Sequence, residues 1–201
     1  ICGPATPRGA LPPAVAELAR RMGVPLLADP LSNLRFGAHA RSNIICRYDG
    51  FLRNQRFIEN NRPQWVLRFG AVPVSKALLQ YLETCLPSTI LCAPRGDWPD
   101  PLHQTSEMVR SAPLELCNRL LELLPPTPES GWLQRFQRQE QRCRDLRPGI
   151  TGDEPCEQLV IEQLIEAMPA GSTLFSGNSL PIRQLDSWSG GGAKPLRILA
   201  N

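Results

Sequence analysis

Lysine is nearly absent from these 201 residues: Lys76 and Lys194 are the only two. Histidine is as rare. His39 and His103 lie far apart, and no histidine-based metal site is visible. No apolar run approaches the roughly 18 residues of a membrane helix. The longest, such as Leu120 to Leu124, are broken by Glu or Pro. The seven cysteines are odd in number and include no C-x-x-C pair. They read as reduced, buried thiols of a cytoplasmic protein rather than a disulfide frame or zinc site. The opening Ile1-Cys2-Gly3-Pro4 lacks the charged start and cleavage-type tail of a signal peptide. Ile1 reads as a residue inside a strand, so we expect a piece of a longer polypeptide, cut within or next to its first strand. The net charge of +3 is too small to demand a polyanionic partner. Arginine supplies nearly all of the positive charge, and arginine suits planar, bidentate recognition of carboxylate or phosphate.

What is present alternates regularly. Residues 1–5 read as a strand end. Pro13 to Met22 repeats apolar positions at helical spacing and stops at Gly23. Val24 to Ala28 is a short apolar strand ended by Asp29-Pro30. Leu31 to Ala40 is polar and irregular. Ile44 to Arg56 is ambiguous, with a short helix at Tyr48 to Leu52. Strands follow at Trp65 to Phe69, Thr89 to Ala93 and Glu107 to Arg110. Helices follow at Ser75 to Leu86 and Leu114 to Leu124. This alternation predicts an α/β fold: a Rossmann-like parallel sheet with helices on both faces. Pro125 to Ser130 is a linker, Trp132 to Leu146 a polar helix, and Arg147 to Pro155 a second loop. The pattern then restarts with a helix (Cys156 to Met168), a strand (Ser172 to Gly177), a helix (Leu180 to Trp188), a turn (Ser189 to Gly192) and a strand (Leu196 to Ala200). We expect one domain with its linker over residues 1–150 and an incomplete second α/β unit over 155–201.

Four constellations carry chemistry. Gly3 and Gly9 follow the first strand and Asp29 ends the second, which mimics a dinucleotide fingerprint. The G-x-G-x-x-G itself is absent and prolines crowd the turn, so an empty Rossmann-like turn is expected. Arg135, Arg138 and Arg142 form a basic stripe near Trp132 and Phe136. Glu140 and Asp145 interrupt it, and a solvated helix explains it without nucleic acid. Lys76 falls in the first turn of a helix, where the dipole disfavours a cation. It is either an ordinary surface lysine or one whose cost a bound anion offsets. Ser179 and Arg183 share a helix face four residues apart, just beyond a strand's carboxyl end. They are either a capping serine with a surface arginine or a carboxylate site.

The run Gly177-Asn178-Ser179-x-x-x-Arg183-x-x-Asp186 resembles the family of 2-succinyl-5-enolpyruvyl-6-hydroxy-3-cyclohexene-1-carboxylate synthases. So do Leu67 to Gly70 with Pro73 to Lys76, Leu26 to Pro30, Tyr48 to Leu52, and the closing Ile198 to Asn201. The resemblance implies a thiamine-diphosphate enzyme of three α/β domains. Residues 1–150 would be its cofactor-free middle domain, and 155–201 the start of its C-terminal, diphosphate-binding domain. It implies decarboxylation of 2-oxoglutarate and addition of the product to isochorismate, in menaquinone or phylloquinone biosynthesis. Carried over by position, Ser179 and Arg183 would bind substrate, and Lys76 would reach it from the middle domain. The full-length enzyme would need thiamine diphosphate and Mg2+ and form a homo-oligomer. No Gly-Asp-x…Asn-type stretch for diphosphate and magnesium occurs here, so residues 1–201 by themselves are expected to bind no cofactor and to be inactive. Two alternatives remain: another thiamine-diphosphate enzyme of the acetolactate-synthase kind, or a non-enzymatic Rossmann-like binding module. Gly177 to Arg183 favours the synthase.

Overall fold

The computed structural model describes residues 1–5, 9–146 and 156–201. The loop expected at Arg147 to Pro155 lies outside the described residues, as does part of the Gly3–Gly9 turn.

In chain order, the first unit contains α1 (Leu11–Met22), β1 (Leu26–Leu27), β2 (Ile44–Ile45), α2 (Tyr48–Phe51), α3 (Gln55–Glu59) and β3 (Trp65–Phe69). It continues with α4 (Lys76–Cys85), β4 (Ser88–Cys92), β5 (Thr105–Val109), α5 (Pro113–Leu123) and α6 (Gly131–Asp145). Pairs β1–β2, β3–β4 and β4–β5 are parallel. Cys2 joins the two ladders by parallel bridges to Ala28 and Phe69. Counting the Cys2 segment as the first strand, the order is 3-2-1-4-5-6, that of the doubly wound dinucleotide-binding sheet.

Side-chain alternation sorts this sheet into two cores. Cys2, Leu26, Ile44 and Phe69 face Val15, Leu18 and Ala19 of α1 and Cys117 of α5. Leu27, Ile45 and Val66 face the other way, onto Tyr48, Phe51, Ile58, Leu78, Tyr81 and Phe136 of α2, α3, α4 and α6. Each such side chain gains roughly 1.5–3 kcal/mol when fully buried. Helices therefore cover both faces, as the strand–helix alternation predicts.

The second unit runs α7 (Glu157–Ala167), β6 (Thr173–Ser176), α8 (Leu180–Trp188) and β7 (Arg197–Ala200). β6 and β7 are parallel, so α8 is a crossover. Ile161, Ile165, Ile182, Leu185, Leu196 and Ile198 pack with Phe36 of the first unit, joined by Leu31 and Val74. Phe175, Val160, Leu164 and Leu180 stay exposed.

Three local expectations are corrected. Ile44 and Ile45, inside the ambiguous stretch, form a strand. Two residues are too short a run to show a period, and the pairing with Leu26 and Leu27 decides it. The polar, irregular stretch after Asp29 contains buried Leu34, Arg35 and Phe36, because it is the surface on which the second unit rests. Cys85, Cys143 and Cys156 are only half-buried, while Cys2, Cys46, Cys92 and Cys117 are buried, and all are free thiols.

Candidate substrate-contact site

The crevice where a doubly wound sheet holds pyrophosphate is closed here. Gly3 N donates to Phe69 O (2.8 Å) and Ala71 N to Pro4 O (2.8 Å). A Cβ on Gly3 would lie 1.9 Å from Ala71 O, and Gly70 (φ +78°) has Pro4 O 2.7 Å from the same position. Only glycine permits this approach. Asp29, the fingerprint-like acid, is fully buried. Its carboxylate accepts from Leu31 N (2.8 Å) and Val74 N (2.7 Å). Burial raises its carboxyl, and those backbone donors with the Arg35 charge oppose the rise. It is a turn-forming residue that fixes the loop before α4.

Ser179 begins α8 just past the carboxyl end of β6, where Asn178 N is held by Asn201 Oδ1 (3.1 Å). Its backbone has φ 73° and ψ −122°, a region non-glycine residues rarely occupy. The capping role open to Ser179 is not realised: its side chain makes no cap hydrogen bond. Instead Arg183 folds back over the helix start. Its Nε donates to Ser179 O (3.0 Å) and its Nη2 to Ser179 Oγ (3.3 Å). Both side chains are exposed. The first turn of α8 carries no acidic residue. A hydroxyl and a guanidinium with spare donors thus meet at a helix start, and a carboxylate can accept from both.

Lys76 is exposed at the first position of α4, again with no acid in the first turn. The residue before it is rigidly held. Ser75 Oγ donates to Asp49 Oδ1 (2.7 Å) and accepts from Leu78 N (3.1 Å) as the helix cap. Helices α4 and α8 each pack on α2, which meets α4 at its start through Asp49 and Ser75 and α8 near its end through Tyr48 and Asp186.

Sequence reasoning missed the groups behind this arrangement. Asp186, on the inner face of α8, is buried against fully buried Arg35. Arg35 Nη2 reaches Asp186 Oδ1 at 2.5 Å, and Tyr48 OH reaches the same oxygen at 3.4 Å. Burial by itself would lower Arg35, but the Asp186 charge overrides it and holds the guanidinium protonated. Burial raises the Asp186 carboxyl, Arg35 opposes this, and Asp29 and Asp49 add to it. The spacing of Asp186 after Arg183 was legible, but its partner lies 151 residues away.

Two other features lie apart from this site. The Arg135–Arg142 stripe belongs to a helix held by buried Phe136 and by Glu140, whose carboxylate accepts from Cys46 N (3.0 Å) and Arg47 N (2.8 Å). An apolar cavity of about 410 Å³ opens at the amino ends of β1 and β3, beside Trp132, and none of Lys76, Ser179 and Arg183 lines it. Among the described residues no group of three or more His, Cys, Asp or Glu is placed to hold a metal ion.

A parallel, doubly wound sheet with helices on both faces defines an α/β domain. The family model described as "middle domain of thiamine pyrophosphate" matches residues 9–176, and the chain belongs to this family of thiamine pyrophosphate enzyme domains. The full chain is similar to three 2-succinyl-5-enolpyruvyl-6-hydroxy-3-cyclohexene-1-carboxylate synthases. That of Geobacillus thermodenitrificans is 40% identical over 100% of this chain and 34% of its own length. That of Dechloromonas aromatica is 37% identical over 100% and 36%. That of Chloroflexus aurantiacus is 34% identical over 100% and 35%. The resemblance read from Gly177 to Asp186 is thereby borne out. The chain spans about a third of the length of these relatives.

Proposed function

We propose that this chain supplies substrate contacts to a synthase that decarboxylates 2-oxoglutarate and adds the remaining succinyl unit to isochorismate, in menaquinone or phylloquinone biosynthesis. The observation that carries the reading is the exposed Ser179–Arg183 pair at an acid-free helix start, in a chain similar throughout to such synthases. Both substrates are anionic. Arg183 offers two parallel N–H donors to a carboxylate, Ser179 adds a hydroxyl donor, and Lys76 adds a point charge from the first unit. Thiamine diphosphate, with Mg2+, supplies the decarboxylation and carbon–carbon bond chemistry when bound in the whole enzyme. Residues 1–201 alone hold neither, and no step is assigned to them beyond binding and orienting the anions. Residues 1–150 form the middle domain and 155–201 the start of the next. The whole enzyme is a cytoplasmic homo-oligomer. No helix among the described residues is long and apolar enough to cross a membrane.

Arg183→Ala in the full-length enzyme tests the assignment. It removes a charge-assisted contact and should lower kcat/KM by about 10- to 150-fold. Arg183→Lys keeps the charge but not the fork and should recover only part. The fold should be nearly unchanged, because the side chain is exposed. Wild-type steady-state kinetics in Arg183→Ala would overturn the reading.

A further inference from the structure

We propose that Arg35 is a positioning residue: from the first unit it grips the carboxyl end of α8 and so sets where Ser179 and Arg183 stand at the other end. The inference rests on the substrate-contact reading of those two residues.

Helix α8 is a nine-residue rod. At about 1.5 Å per residue it is roughly 13 Å long. The last carbonyls of a helix have no partner within it and must find one elsewhere. Here Asp186 O finds Arg35, and Leu185 O is shared between Ser189 N and Arg35. Its Nη1 lies 2.8 Å from Asp186 O and 3.3 Å from each of Leu185 O and Ser189 Oγ. Its Nη2 holds the Asp186 carboxylate, and its Nε is anchored on Ala28 O at 2.7 Å. One guanidinium thus ties the end of β1 to the end of α8. The stem has no freedom to follow a drifting helix, because Arg35 is completely enclosed. Its guanidinium also lies over the Tyr48 ring, 5.7 Å from the centroid. Tyr48 belongs to α2, the helix on which α4 and Lys76 also rest.

The backbone beyond the helix is fastened to the same place. Gly192 N donates to Arg35 O (3.0 Å), and Gly37 N donates to Gly192 O (3.0 Å). The turn after α8 therefore closes a strand-like bridge between Phe36 and Gly192. A Cβ on Gly191 would lie 2.5 Å from Arg35 O and 2.3 Å from an Arg41 nitrogen. The glycine-rich turn is thin because the arginine loop must fit beneath it. Ser179 and Arg183 hydrogen-bond to one another. Near its start α8 is held by buried Ile182 and by Asn178 N on Asn201 Oδ1, and its far end is held by Arg35.

A residue acting in this way differs from one that merely holds the protein together. Its effect on catalysis should pass through Arg183, and a double-mutant cycle reads this directly. In the full-length enzyme, Arg35→Met should lower kcat/KM by up to about 100-fold, the scale of a misplacement of about 1 Å. In an Arg183→Ala background the same substitution should cost less than about threefold, because the misplaced group is already gone. Arg35→Lys should restore the contact with Asp186 but not the helix-end carbonyls, and should recover part of the loss. Far-ultraviolet circular dichroism and thermal melting establish that each variant is folded. Where Arg35→Met does not fold, Asp186→Asn replaces it in the same cycle. It keeps the size and one acceptor of the native side chain.

Losses that simply multiply across the cycle, with Arg183→Ala itself damaging, would overturn the positioning role and leave the substrate site standing. A wild-type Arg183→Ala enzyme would overturn the substrate site instead. A folded Arg35→Met enzyme with unchanged kcat/KM would also overturn the proposal.

Discussion

Ser179 holds a positive φ without being glycine, and nothing in its own side chain repays that geometry as a cap. Such conformations cost of order 1–3 kcal/mol and cluster where a side chain must point in one direction. Two substitutions separate the backbone from the hydroxyl. Ser179→Ala removes the hydroxyl and keeps the strain, so activity of the full-length enzyme should fall while stability is nearly constant. Ser179→Gly also relieves the strain. After the roughly 0.5–1 kcal/mol that glycine loses to unfolded-state entropy, a net gain of about 1 kcal/mol should remain. That corresponds to a rise in Tm of about 2–4 °C over the alanine variant. Equal melting temperatures for the two variants would show that the backbone there is relaxed.

The buried thiols make a second residue-scale expectation. Burial pushes Cys2 and Cys117 up to about 12, and Cys46 and Cys92 up to about 11, from an ordinary value near 9. Above pH 9 the unfolded chain loses thiol protons that the folded chain keeps. The folded state then binds more protons, so stability must fall as pH rises. The contribution is intact below pH 9 and is lost between about 9 and 12. Urea midpoints of the 201-residue chain should decline from pH 8.5 to 10.5, and Cys117→Ala should make the decline shallower. An identical slope in that variant would remove the thiol from the account.

At the scale of elements, two strand ends of the first unit come close together. Gly3 and Gly70 bring the first strand and β3 together where related sheets hold a ligand. A methyl group at Gly3 meets the carbonyl of Ala71, which is backbone and cannot swing aside. Gly3→Ala should therefore cost at least about 1–3 kcal/mol, as overpacking does. The melting temperature should drop by about 2–4 °C per kcal/mol. An unchanged melt would mean that the crevice is open in solution. Helix α2, only four residues long, joins both helices of the proposed substrate contacts, carrying Tyr48 to Asp186 and Asp49 to Ser75.

Across the whole molecule the two units differ in how well they are enclosed. β3 lies between the Cys2 segment and β4, with helices over both faces of its sheet. Among the described residues β7 pairs on one side only, with β6, and its sheet leaves Phe175 64% exposed. Edge pairing and thin cover lower the free energy of local opening. In the isolated 201-residue chain, backbone amides of β7 should exchange with deuterium much faster than those of β3. Equal protection would show that the second unit is complete in itself and that the boundary proposed near residues 150–155 is misplaced.

The sequence alone determined the class of fold, most of the longer elements and the stretch that carries the family resemblance. Those are local properties. Gly23 stops α1 by its own left-handed geometry, Trp65 to Phe69 and Leu180 to Trp188 coincide with the observed elements, and Gly177 to Asp186 is one continuous run. Tertiary structure decided what depends on residues distant along the chain. Ile44–Ile45 is a strand because Leu26–Leu27 pairs with it, and the fingerprint-like Gly3 turn is shut because Gly70 meets it. Arg35 sits in a stretch that reads as polar and irregular, yet its side chain is fully buried. Its carbonyl and carboxylate partners on α8 lie some 150 residues on, a relation that no local pattern encodes and only packing creates.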